Sequence, residues 1–459
     1  MAFDVRGQRA LVVGLAKSGV SAAKLLHARG ARVTVTDRRA ATELHAQIEA
    51  LGSGVQLALG GHDEGDFTSA DLVVVSPGVP LALPEIAAAR RQGVPVLGEV
   101  ELAWRFLAHA RLPFVGITGT NGKSTTTALT GALFQQDRRA FVGGNLGTPA
   151  CELVLSGRAV DVAVLELSSF QLEGIDRFRP SVAAILNVTP DHLDRYRDVE
   201  EYAAAKARLF SNQQPGDRAV ANARDARAMA MAGASRASRW TFGFGDPATA
   251  AARCPGDGSS GEVVVARPGG AAETYRLGTR ALRGRHNREN AMAAVLCARL
   301  LGVPPERIQA GLDEFPGLPH RLEVVSERGG VEWVNDSKGT NVDSTQVALQ
   351  AFPSDRAHVV LVMGGRGKKA PYAPLRPLFA NRVKALLTIG EDAPAIEREL
   401  GDACPTEGAG TLAEAVRRAA ALSGPGDVVL LSPACSSYDQ FKNYEERGEA
   451  FRRLVGELR

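Results

Sequence analysis

The chain has 459 residues, and a length of this order predicts about three domains. Its net charge is only +3, which excludes a protein that binds nucleic acid through a strong positive bias. Five scattered cysteines have neither metal-ligand spacing nor the even number of a disulfide framework, which favours a reducing cytoplasm. The chain starts without an apolar signal segment and has no apolar run long enough for a bilayer, so we expect a cytoplasmic protein without membrane insertion.

Short apolar runs alternate with helical patterns along almost the whole chain, which is typical of parallel α/β sheets. The first block predicts strands at 10–13, 32–36 and 72–75 and helices at 18–28, 84–91 and 99–107. The second block predicts strands at 114–117, 162–167 and 182–188, helices from 123 and at 287–301, and loops with irregular strands at 241–278. The third block predicts strands at 331–334, 359–363, 385–389 and 428–431 and a last helix at 446–458.

The run Gly119-Thr120-Asn121-Gly122-Lys123-Ser124 follows an apolar strand and precedes a helix, which is the context of a phosphate-binding loop. Its two glycines let backbone N–H groups surround phosphate oxygens, and the helix N-terminus adds partial positive charge. Lys123 can then bridge the outer phosphates, and the Ser124 hydroxyl can bind Mg²⁺. Ile117 stands where the common pattern has its first glycine, and the alternative interpretation is a Gly-rich turn with a solvent-exposed lysine.

Two more loops follow strands predicted for the same block. Glu166 ends a buried run, where a charge is costly unless it is paired or bound to a metal, so both a Mg²⁺ ligand and a structural carboxylate fit. The loop 187–194 carries His192 between two carboxylates and fits either the same site or an ordinary helix start. Lys206 lies in a predicted helix, and its position alone predicts a surface lysine.

The turn 14–19 after the first strand resembles a dinucleotide-binding fingerprint, and Asp37 ends the next strand. Ala16 replaces the glycine that lets a pyrophosphate approach the backbone closely. The turn therefore favours a site for the phosphates of another nucleotide over a site for NAD.

Three strands of the third block end in polar loops at 335–341, 364–368 and 432–437, which carry Lys, Asp and Ser. The carboxyl ends of parallel strands meet at one edge of a sheet, and such an edge commonly binds ligands. Each loop alone also fits ordinary turn chemistry, but three together favour a ligand site.

In its motifs and in their order along the chain, the sequence resembles the Mur ligases. The matching stretches are TGTNGKST (118–125), GGNLG (143–147), ELSSFQLE (166–173), NVTPDHLDRY (187–196), His286 with Asn287 and Asn290, LPHR (318–321), NDSKGTN (335–341), GGRGK (364–368) and SPACSSYDQFKN (432–443). The phosphate loop and the histidine–asparagine set also resemble folylpolyglutamate synthases. The stretches 166–173 and 432–443 resemble the family members that add D-glutamate.

The resemblance implies an α/β fold with three domains. These are a Rossmann-like domain for a UDP-sugar at 1–102, a central P-loop ATPase-like domain with a parallel sheet for ATP at 103–317, and a Rossmann-like amino-acid-binding domain at 318–459. It implies a cytoplasmic, monomeric enzyme of peptidoglycan precursor synthesis, with no nucleic-acid partner. The implied reaction uses ATP to join D-glutamate to UDP-N-acetylmuramoyl-L-alanine through an acyl phosphate. We expect the domains to close during catalysis, because water must be excluded.

By motif, the resemblance also assigns roles to residues. Catalysis is assigned to Lys123, Glu166, His192 and Lys206. Two Mg²⁺ ions are assigned to Ser124, Glu166, His192 and Lys206, the last as a carbamate, which converts a cation into an anion. ATP is assigned to Gly119, Thr120, Asn121, Gly122, Lys123, Ser124, Thr125, Asn287, Arg321 and Asp336. The UDP-sugar is assigned to Ser18, Asp37, Arg38, Ser76 and Asn145, and D-glutamate to Lys338, Thr340, Lys368, Ser437 and Tyr444.

Three other functions compete with this hypothesis. Another amino-acid ligase of the Mur or folylpolyglutamate type is disfavoured by the stretch 432–443. A P-loop switch or transport ATPase leaves the lysine-bearing loops of the third block without a role. An NAD-dependent Rossmann enzyme is disfavoured by Ala16 and by the phosphate loop.

Overall fold

The computed structural model describes residues 3–192, 195–245, 251–255, 261–266, 271–368 and 370–458. Contacts within the chain divide it into two compact units, which are described separately. The first unit comprises Met1–Arg276 with Glu289–Leu312, and the second comprises Leu277–Arg288 with Asp313–Arg459. None of the helices in the described ranges combines the length and the apolar character needed to cross a bilayer.

The first sheet is formed by the N-terminal strands of the first unit. Its elements are β1 (Arg9–Val13), α1 (Lys17–Ala28), β2 (Arg32–Asp37), α2 (His45–Leu51), β3 (Gln56–Leu59), α3 (Glu64–Ser69), β4 (Leu72–Val75), α4 (Pro84–Arg91), β5 (Val96–Gly98) and α5 (Glu99–Leu107). The five strands are parallel and lie in the order β3-β2-β1-β4-β5. The order reverses between β1 and β4, and such a switch point opens a crevice at the carboxyl ends of the strands.

The start of α1 depends on a close approach of two backbone segments. Gly14 ends β1 at a φ of 90°, and a Cβ atom at Gly19 would lie 1.9 Å from the Gly14 carbonyl oxygen. Only glycine at position 19 therefore allows the helix to pass over the turn. The predicted strands and helices of this block are confirmed, within one residue at each end.

The second sheet belongs to the same unit. Its elements are β6 (Phe114–Thr118), α6 (Lys123–Gln135), β7 (Ala140–Gly144), α7 (Ala150–Leu155), β8 (Val162–Glu166), α8 (Ser169–Glu173), β9 (Val182–Ile185), α9 (Val199–Ala207), β10 (Arg218–Asn222), α10 (Ala226–Gly233), β11 (Ser238–Phe244), β12 (Ala252–Cys254), β13 (Glu262–Val265), β14 (Glu273–Arg276), α11 (Arg285–Leu300) and α12 (Pro305–Glu314). The strand order is β14-β13-β12-β11-β10-β9-β6-β8-β7. The seven strands β6 to β12 pair in parallel. Strand β13 pairs antiparallel with both β12 and β14.

The segment 241–278 differs from the prediction of loops and irregular strands. Strands β12, β13 and β14 extend the central sheet by an antiparallel edge. These strands have three or four residues each, and only alternate side chains of β13 are buried. Such short, half-exposed strands lack the continuous apolar run by which buried parallel strands are recognised.

The third sheet forms the second unit. Its elements are β15 (Glu323–Arg328), β16 (Val331–Asn335), α13 (Val342–Gln350), β17 (Val359–Gly364), α14 (Arg376–Phe379), β18 (Val383–Ile389), α15 (Ala393–Leu400), β19 (Thr406–Gly410), α16 (Leu412–Leu422), β20 (Val428–Leu431) and α17 (Tyr444–Glu457). The order is β15-β16-β20-β17-β18-β19, and only β15 is antiparallel. Strand β20 lies between β16 and β17, so the three polar loops that follow these strands share one edge of the sheet, as predicted.

A buried carboxylate, Glu101, attaches α5 to the central part of the first unit. Its Oε2 accepts three backbone N–H bonds, from Asp176 (2.9 Å), Arg177 (3.0 Å) and Phe178 (2.8 Å). Its Oε1 accepts a bond from Arg105 Nε at 2.7 Å, and the side chain is fully buried. A buried, charged acceptor that satisfies four donors stabilises the fold strongly.

Glu101→Ala is expected to lower the free energy of unfolding by about 3 kcal/mol, because it leaves one buried and three partly buried donors without their acceptor. The change is measured as a lower midpoint of the urea-induced transition. Glu49→Ala is the control, because Glu49 is an exposed helical residue, and it should change the free energy by less than about 0.5 kcal/mol. Equal stability of the two variants would contradict the role assigned to Glu101.

Candidate active site

The phosphate loop connects β6 to α6 and has a backbone that only glycine accommodates at its end. Gly122 has a φ of 85° and directly precedes α6. A Cβ atom there would lie 2.3 Å from Asn290 Oδ1, which also accepts a hydrogen bond from Thr126 Oγ1 at 3.2 Å. The contact places Asn290, from α11, directly beside the phosphate loop. Ser124 and Thr125 are both buried in the first turn of α6.

The loop after β9 holds the phosphate loop from the side. Asn187 Oδ1 accepts a bond from the Asn121 N–H at 2.8 Å, and Asn187 Nδ2 donates to the Asn121 carbonyl at 3.1 Å. Thr120 Oγ1 donates to the Thr189 carbonyl at 3.1 Å and accepts from the Thr189 N–H at 3.0 Å. These reciprocal bonds fix the conformation of the phosphate loop.

Two lysines donate to the same carbonyl oxygen of the phosphate loop. Lys123 Nζ lies 2.9 Å from the Gly119 oxygen and 2.7 Å from the Thr120 oxygen, and Lys206 Nζ lies 2.9 Å from the Gly119 oxygen. Lys206 is 1% exposed, and its ammonium lies 4.4 Å from the centre of the Tyr202 ring. Burial, and then the charge of Lys123, lowers the pKa of Lys206 to about 7.

The prediction of a surface lysine, made from the position of Lys206 alone, is wrong. Helix α9 directs this buried side chain to the Gly119 carbonyl, so a single lysine in an Ala-rich helix lies beside the phosphate loop. The motif resemblance, which placed Lys206 in the site, fits the observed burial.

Glu166 lies at the carboxyl end of β8 and is paired on one oxygen only. Its side chain is 2% exposed, and Oε1 accepts a bond from Asn145 Nδ2 at 2.7 Å. Within the described part of the chain, Oε2 is buried and has no hydrogen-bond partner. An unpaired buried carboxylate oxygen costs free energy unless a ligand binds it. Glu166 Oε2 is therefore a suitable acceptor for a cation or a donor group.

His192 lies in the loop after β9 and reaches the same aromatic group as Lys206. Its ring centre is 4.9 Å from that of Phe170 and 6.0 Å from that of Tyr202. Its backbone has a φ of 54°, which is uncommon for a residue other than glycine, and its Nε2 lies 3.6 Å from the Asp191 carboxylate. Asp194, the second carboxylate predicted for this loop, lies outside the described residues. Among the residues that the structure describes, no cluster of three or more His, Cys, Asp or Glu side chains forms a ready metal site.

A cavity of about 530 Å³ opens at the switch point between β1 and β4. All five residues that the resemblance assigned to a UDP-sugar line this cavity: Ser18, Asp37, Arg38, Ser76 and Asn145. Among the other lining residues, the sequence interpretation assigned no role to the polar side chains of Lys17, Arg39, His62 and Gln171. Gln171 belongs to the matched stretch 166–173, so its motif was a signal that could have identified it.

Asp37 supports the turn after β1 instead of standing free in the cavity. Its Oδ2 accepts from the Leu15 N–H at 2.7 Å and from the Arg39 guanidinium at 2.8 Å, and its Oδ1 accepts from the Arg39 N–H and Nε. Burial alone would raise the pKa of Asp37, but the bonds from Arg39 and Leu15 lower it to about 2. On the opposite side, Ser76 Oγ donates to the Gly14 carbonyl at 2.8 Å.

Asn145 connects this cavity to the phosphate-loop site, because it lines the cavity and also donates to Glu166. Lys17, at the start of α1, also links the two sheets of this unit, because its Nζ donates to the Gly147 carbonyl in the loop after β7. A ligand held in the cavity can therefore extend towards the unpaired oxygen of Glu166 and the two lysines.

The second unit holds the remaining residues assigned to ATP. Asp336 directly follows β16 and is buried; its Oδ2 accepts from Ser432 Oγ at 2.8 Å, and burial raises its pKa to about 7. Arg321 Nε is buried and has no hydrogen-bond partner among the described residues. Burial, and then the charge of Arg321, lowers the pKa of His286 to about 4. Asn287 Nδ2 donates to the Arg283 carbonyl at 3.1 Å.

Four of the residues assigned to D-glutamate lie on the three loops at one edge of the third sheet, and the fifth, Tyr444, begins α17. Lys338 Nζ is 5.6 Å from the centre of the Tyr444 ring, and the Thr340 N–H donates to the Lys338 carbonyl at 2.9 Å. Ser437 is buried, whereas Lys368 is exposed. The edge therefore presents two cations and two hydroxyl groups.

Arg447, which the sequence interpretation missed, ties these loops together. It is 1% exposed and donates to Ser337 Oγ (3.0 Å), the Ser337 carbonyl (2.9 Å) and the Cys435 carbonyl (3.1 Å). A weaker contact of 3.5 Å reaches the Gly364 carbonyl. No local signal identifies Arg447, because an arginine in an amphipathic helix normally lies at the surface.

A phosphate loop between β6 of a parallel sheet and α6 is typical of the P-loop class of nucleotide-binding proteins. Family comparisons narrow this class. Residues 8–98 match the domain described as "Mur ligase MurD-like, N-terminal domain", 117–298 match "Mur ligase middle domain", and 320–435 match "Mur ligase, glutamate ligase domain". The chain belongs to the Mur ligase family.

Two relatives are similar over nearly their whole lengths, and both are named UDP-N-acetylmuramoylalanine–D-glutamate ligase. The protein of Anaeromyxobacter dehalogenans (strain 2CP-C) is 71% identical, over 99% of this chain and 98% of the relative. The protein of Myxococcus xanthus (strain DK1622) is 53% identical, over 100% of both chains.

Two solved structures share the fold. UDP-N-acetylmuramate-alanine ligase MurC from Thermotoga maritima has a TM-score of 0.61 at 20% identity, over 98% of this chain and 99% of that chain. MurF ligase from Thermotoga maritima in complex with ADP has a TM-score of 0.63 at 16% identity, over 98% of this chain and 96% of that chain. At these identities the likeness concerns the fold alone, and it confirms the predicted α/β class.

Proposed function

We propose that this chain is the ATP-dependent ligase that joins D-glutamate to UDP-N-acetylmuramoyl-L-alanine in peptidoglycan precursor synthesis, with ADP and phosphate as the other products. The observation that carries the proposal is the path from the N-terminal cavity through Asn145 to Glu166, Lys123 and Lys206. The names of relatives that are 71% and 53% identical support the same reaction. We place the enzyme in the cytoplasm as a monomer.

The chemistry explains why such a path is needed. A carboxylate is a poor electrophile, and phosphorylation of the L-alanine carboxylate by ATP gives an acyl phosphate with a good leaving group. The D-glutamate amine then attacks the carbonyl carbon, and phosphate leaves. In the first step two anions must meet, so positive charge at the phosphate loop lowers the barrier. Lys123 is the residue that we assign to this task, with the backbone N–H groups of 119–125.

Mg²⁺ fits the residues around Glu166. The unpaired, buried Oε2 of Glu166 is a hard oxygen donor, and the Ser124 hydroxyl lies in the first turn of α6. Bound Mg²⁺ would neutralise developing charge on the phosphoryl oxygens. We assign Ser124, Glu166 and His192 to this role, with Lys206 as a carbamate for a second ion.

The environment of Lys206 suits carbamate formation. A neutral amine attacks CO₂, forms an N–C bond and releases a proton, so a lysine reacts only when it is unprotonated. The lowered pKa of Lys206 provides the neutral amine near pH 7. The resulting anion would also remove the repulsion between Lys206 and Lys123, whose ammonium groups share one carbonyl acceptor.

We assign the other ligand contacts by the same reasoning. Ser18, Asp37, Arg38, Ser76 and Asn145 hold the UDP-sugar, and their common cavity supports this assignment. Asn287, Arg321 and Asp336 contact adenine, phosphate and ribose. The carboxylates of D-glutamate pair with Lys338, Lys368, Thr340 and Ser437, while Tyr444 packs beside Lys338.

We assign the domains to residues 1–102, 103–317 and 318–459.

One assay tests the function. Phosphate release from ATP is measured with UDP-N-acetylmuramoyl-L-alanine and a panel containing D-glutamate, L-glutamate, L-alanine and a diamino acid. We expect release only with D-glutamate, together with a product whose mass increases by one glutamyl group. Release that needs another amino acid would indicate a different Mur-type ligase. Steady turnover without any amino acid would indicate a switch or transport ATPase and would refute the proposal.

A further inference from the structure

His62 is the one histidine among the described residues that line the N-terminal cavity. Its Nδ1 is 2.9 Å from Thr36 Oγ1, at the end of β2. Its ring packs edge-on against Phe67 of α3, with 5.8 Å between the ring centres. The imidazole is therefore held on two sides by the N-terminal domain.

The hydrogen bonds of Thr36 determine which ring nitrogen of His62 carries the proton. Thr36 Oγ1 donates its only proton to the Gly61 carbonyl, at 3.0 Å. The same hydroxyl can therefore only accept from His62, so Nδ1 carries the hydrogen. In the neutral ring Nε2 then has a lone pair and is a hydrogen-bond acceptor. Within the described residues, no hydrogen bond to Nε2 occurs.

The charged groups that face His62 keep the ring neutral near pH 7. Burial lowers its pKa, and Arg38, which also lines the cavity, lowers it further. Glu85 of α4 and Asp37 act in the opposite direction, and their effect is smaller. A neutral ring keeps the acceptor on Nε2.

The acceptors of Asp37 and Gly14 in this cavity are already occupied. Both oxygens of Asp37 accept bonds from Arg39 or Leu15, and the Gly14 carbonyl accepts from Ser76 Oγ. A nucleoside in the cavity carries donors that need partners, namely the imide N–H of its base and the hydroxyl groups of its ribose. A buried donor without an acceptor would weaken binding.

We propose that His62 Nε2 accepts a hydrogen bond from the nucleoside of the nucleotide-sugar, and so helps to select and orient it. The inference rests on the proposed function, which places a UDP group in this cavity. It adds a specificity-determining residue that contacts the nucleoside and takes no part in the chemical step. The ligand atom is either the imide N–H or a ribose hydroxyl, and the experiment distinguishes them.

Binding of UDP is compared with that of N3-methyl-UDP, 2′-deoxy-UDP and 3′-deoxy-UDP by calorimetry, using the full-length wild type and His62→Phe. We expect the wild type to bind one analogue about tenfold more weakly than UDP, because a bond to Nε2 is lost. In His62→Phe, UDP and that same analogue should bind equally, since the acceptor is absent from both complexes. The analogue that shows this coupling identifies the donor.

Three further measurements complete the test. His62→Gln keeps an acceptor and should retain part of the preference, which also covers the case in which His62→Phe folds poorly. His45→Phe is the matched control, because His45 is exposed on α2 and does not line the cavity, and it should preserve the full preference. In the ligase assay, His62→Phe should raise KM for UDP-N-acetylmuramoyl-L-alanine about tenfold and leave kcat within about twofold.

Two results would overturn the inference, and they are distinguishable. If the wild type binds UDP but its preference over every analogue is the same in His62→Phe, only the role of His62 fails. If the wild type neither binds UDP nor uses a UDP-linked substrate, the proposed function fails, and the role of His62 fails with it.

Discussion

Lys206→Ala should lower the rate of D-glutamate-dependent phosphate release by about 10³-fold or more. The side chain is buried, donates to the phosphate loop at Gly119 and lies over Tyr202. Its lowered pKa makes the amine available for carbamate formation near neutral pH. Alanine removes both the amine and the anion that the carbamate would supply. Because the alanine variant leaves a space at the site, a small carboxylate such as formate should restore part of the rate.

The controls separate carbamate chemistry from packing. Lys206→Met fills the space without a nitrogen, so it should be equally inactive and should not respond to formate. Lys24→Ala, on α1 and outside the cavity lining, should keep the wild-type rate. With ¹³C-labelled CO₂, the wild type should show a carbamate signal that grows as the pH rises from 6 to 8, because the neutral fraction of an amine with a pKa of about 7 increases over that range. An active Lys206→Met variant would refute the assignment.

Most strands predicted from the sequence have side chains that are buried on both faces of a sheet, although β10, buried at four of its five positions, was not predicted. Strand β4 is buried at all four positions, so its apolar run was recognised at once. Strand β3 is exposed at its first two positions and only partly buried at the next two, and none of the five residues of β19 is fully buried. Edge strands of this kind depend on pairing with a neighbouring strand. Their own composition therefore does not indicate a strand.

The same distinction holds in the site. The phosphate loop and Glu166 were predicted as site residues from a local pattern. The loop directly follows the apolar strand β6, and Glu166 stands at the end of the apolar strand β8. Lys206 needed either the family resemblance or the structure, since its acceptor at Gly119 is 87 residues away. Arg447 and its partner Ser337 are 110 residues apart, and the tautomer of His62 depends on Thr36 and Gly61 together. Residues whose roles arise from packing between distant segments have no local sequence pattern by which they could be predicted.

Lys123→Ala is the second substitution expected to abolish ligation, with a loss of about 10³-fold or more in phosphate release. Lys123 Nζ donates to the Gly119 and Thr120 carbonyls and so lies inside the curve of the phosphate loop. Its removal takes away the positive charge that would reduce the repulsion between the ATP phosphates and the L-alanine carboxylate. ATP binding should weaken less than the rate falls, because the backbone N–H groups of the loop remain.

The same substitution has a consequence for the neighbouring lysine. The charge of Lys123 helps to lower the pKa of Lys206, so Lys123→Ala should raise that pKa and reduce the carbamate signal at pH 7. Lys123→Arg keeps the charge and is the matched variant, so it should retain the carbamate signal even where its larger head slows turnover. An unchanged signal in Lys123→Ala would show that burial alone sets the pKa of Lys206. A normal rate of ligation in that variant would remove Lys123 from the mechanism.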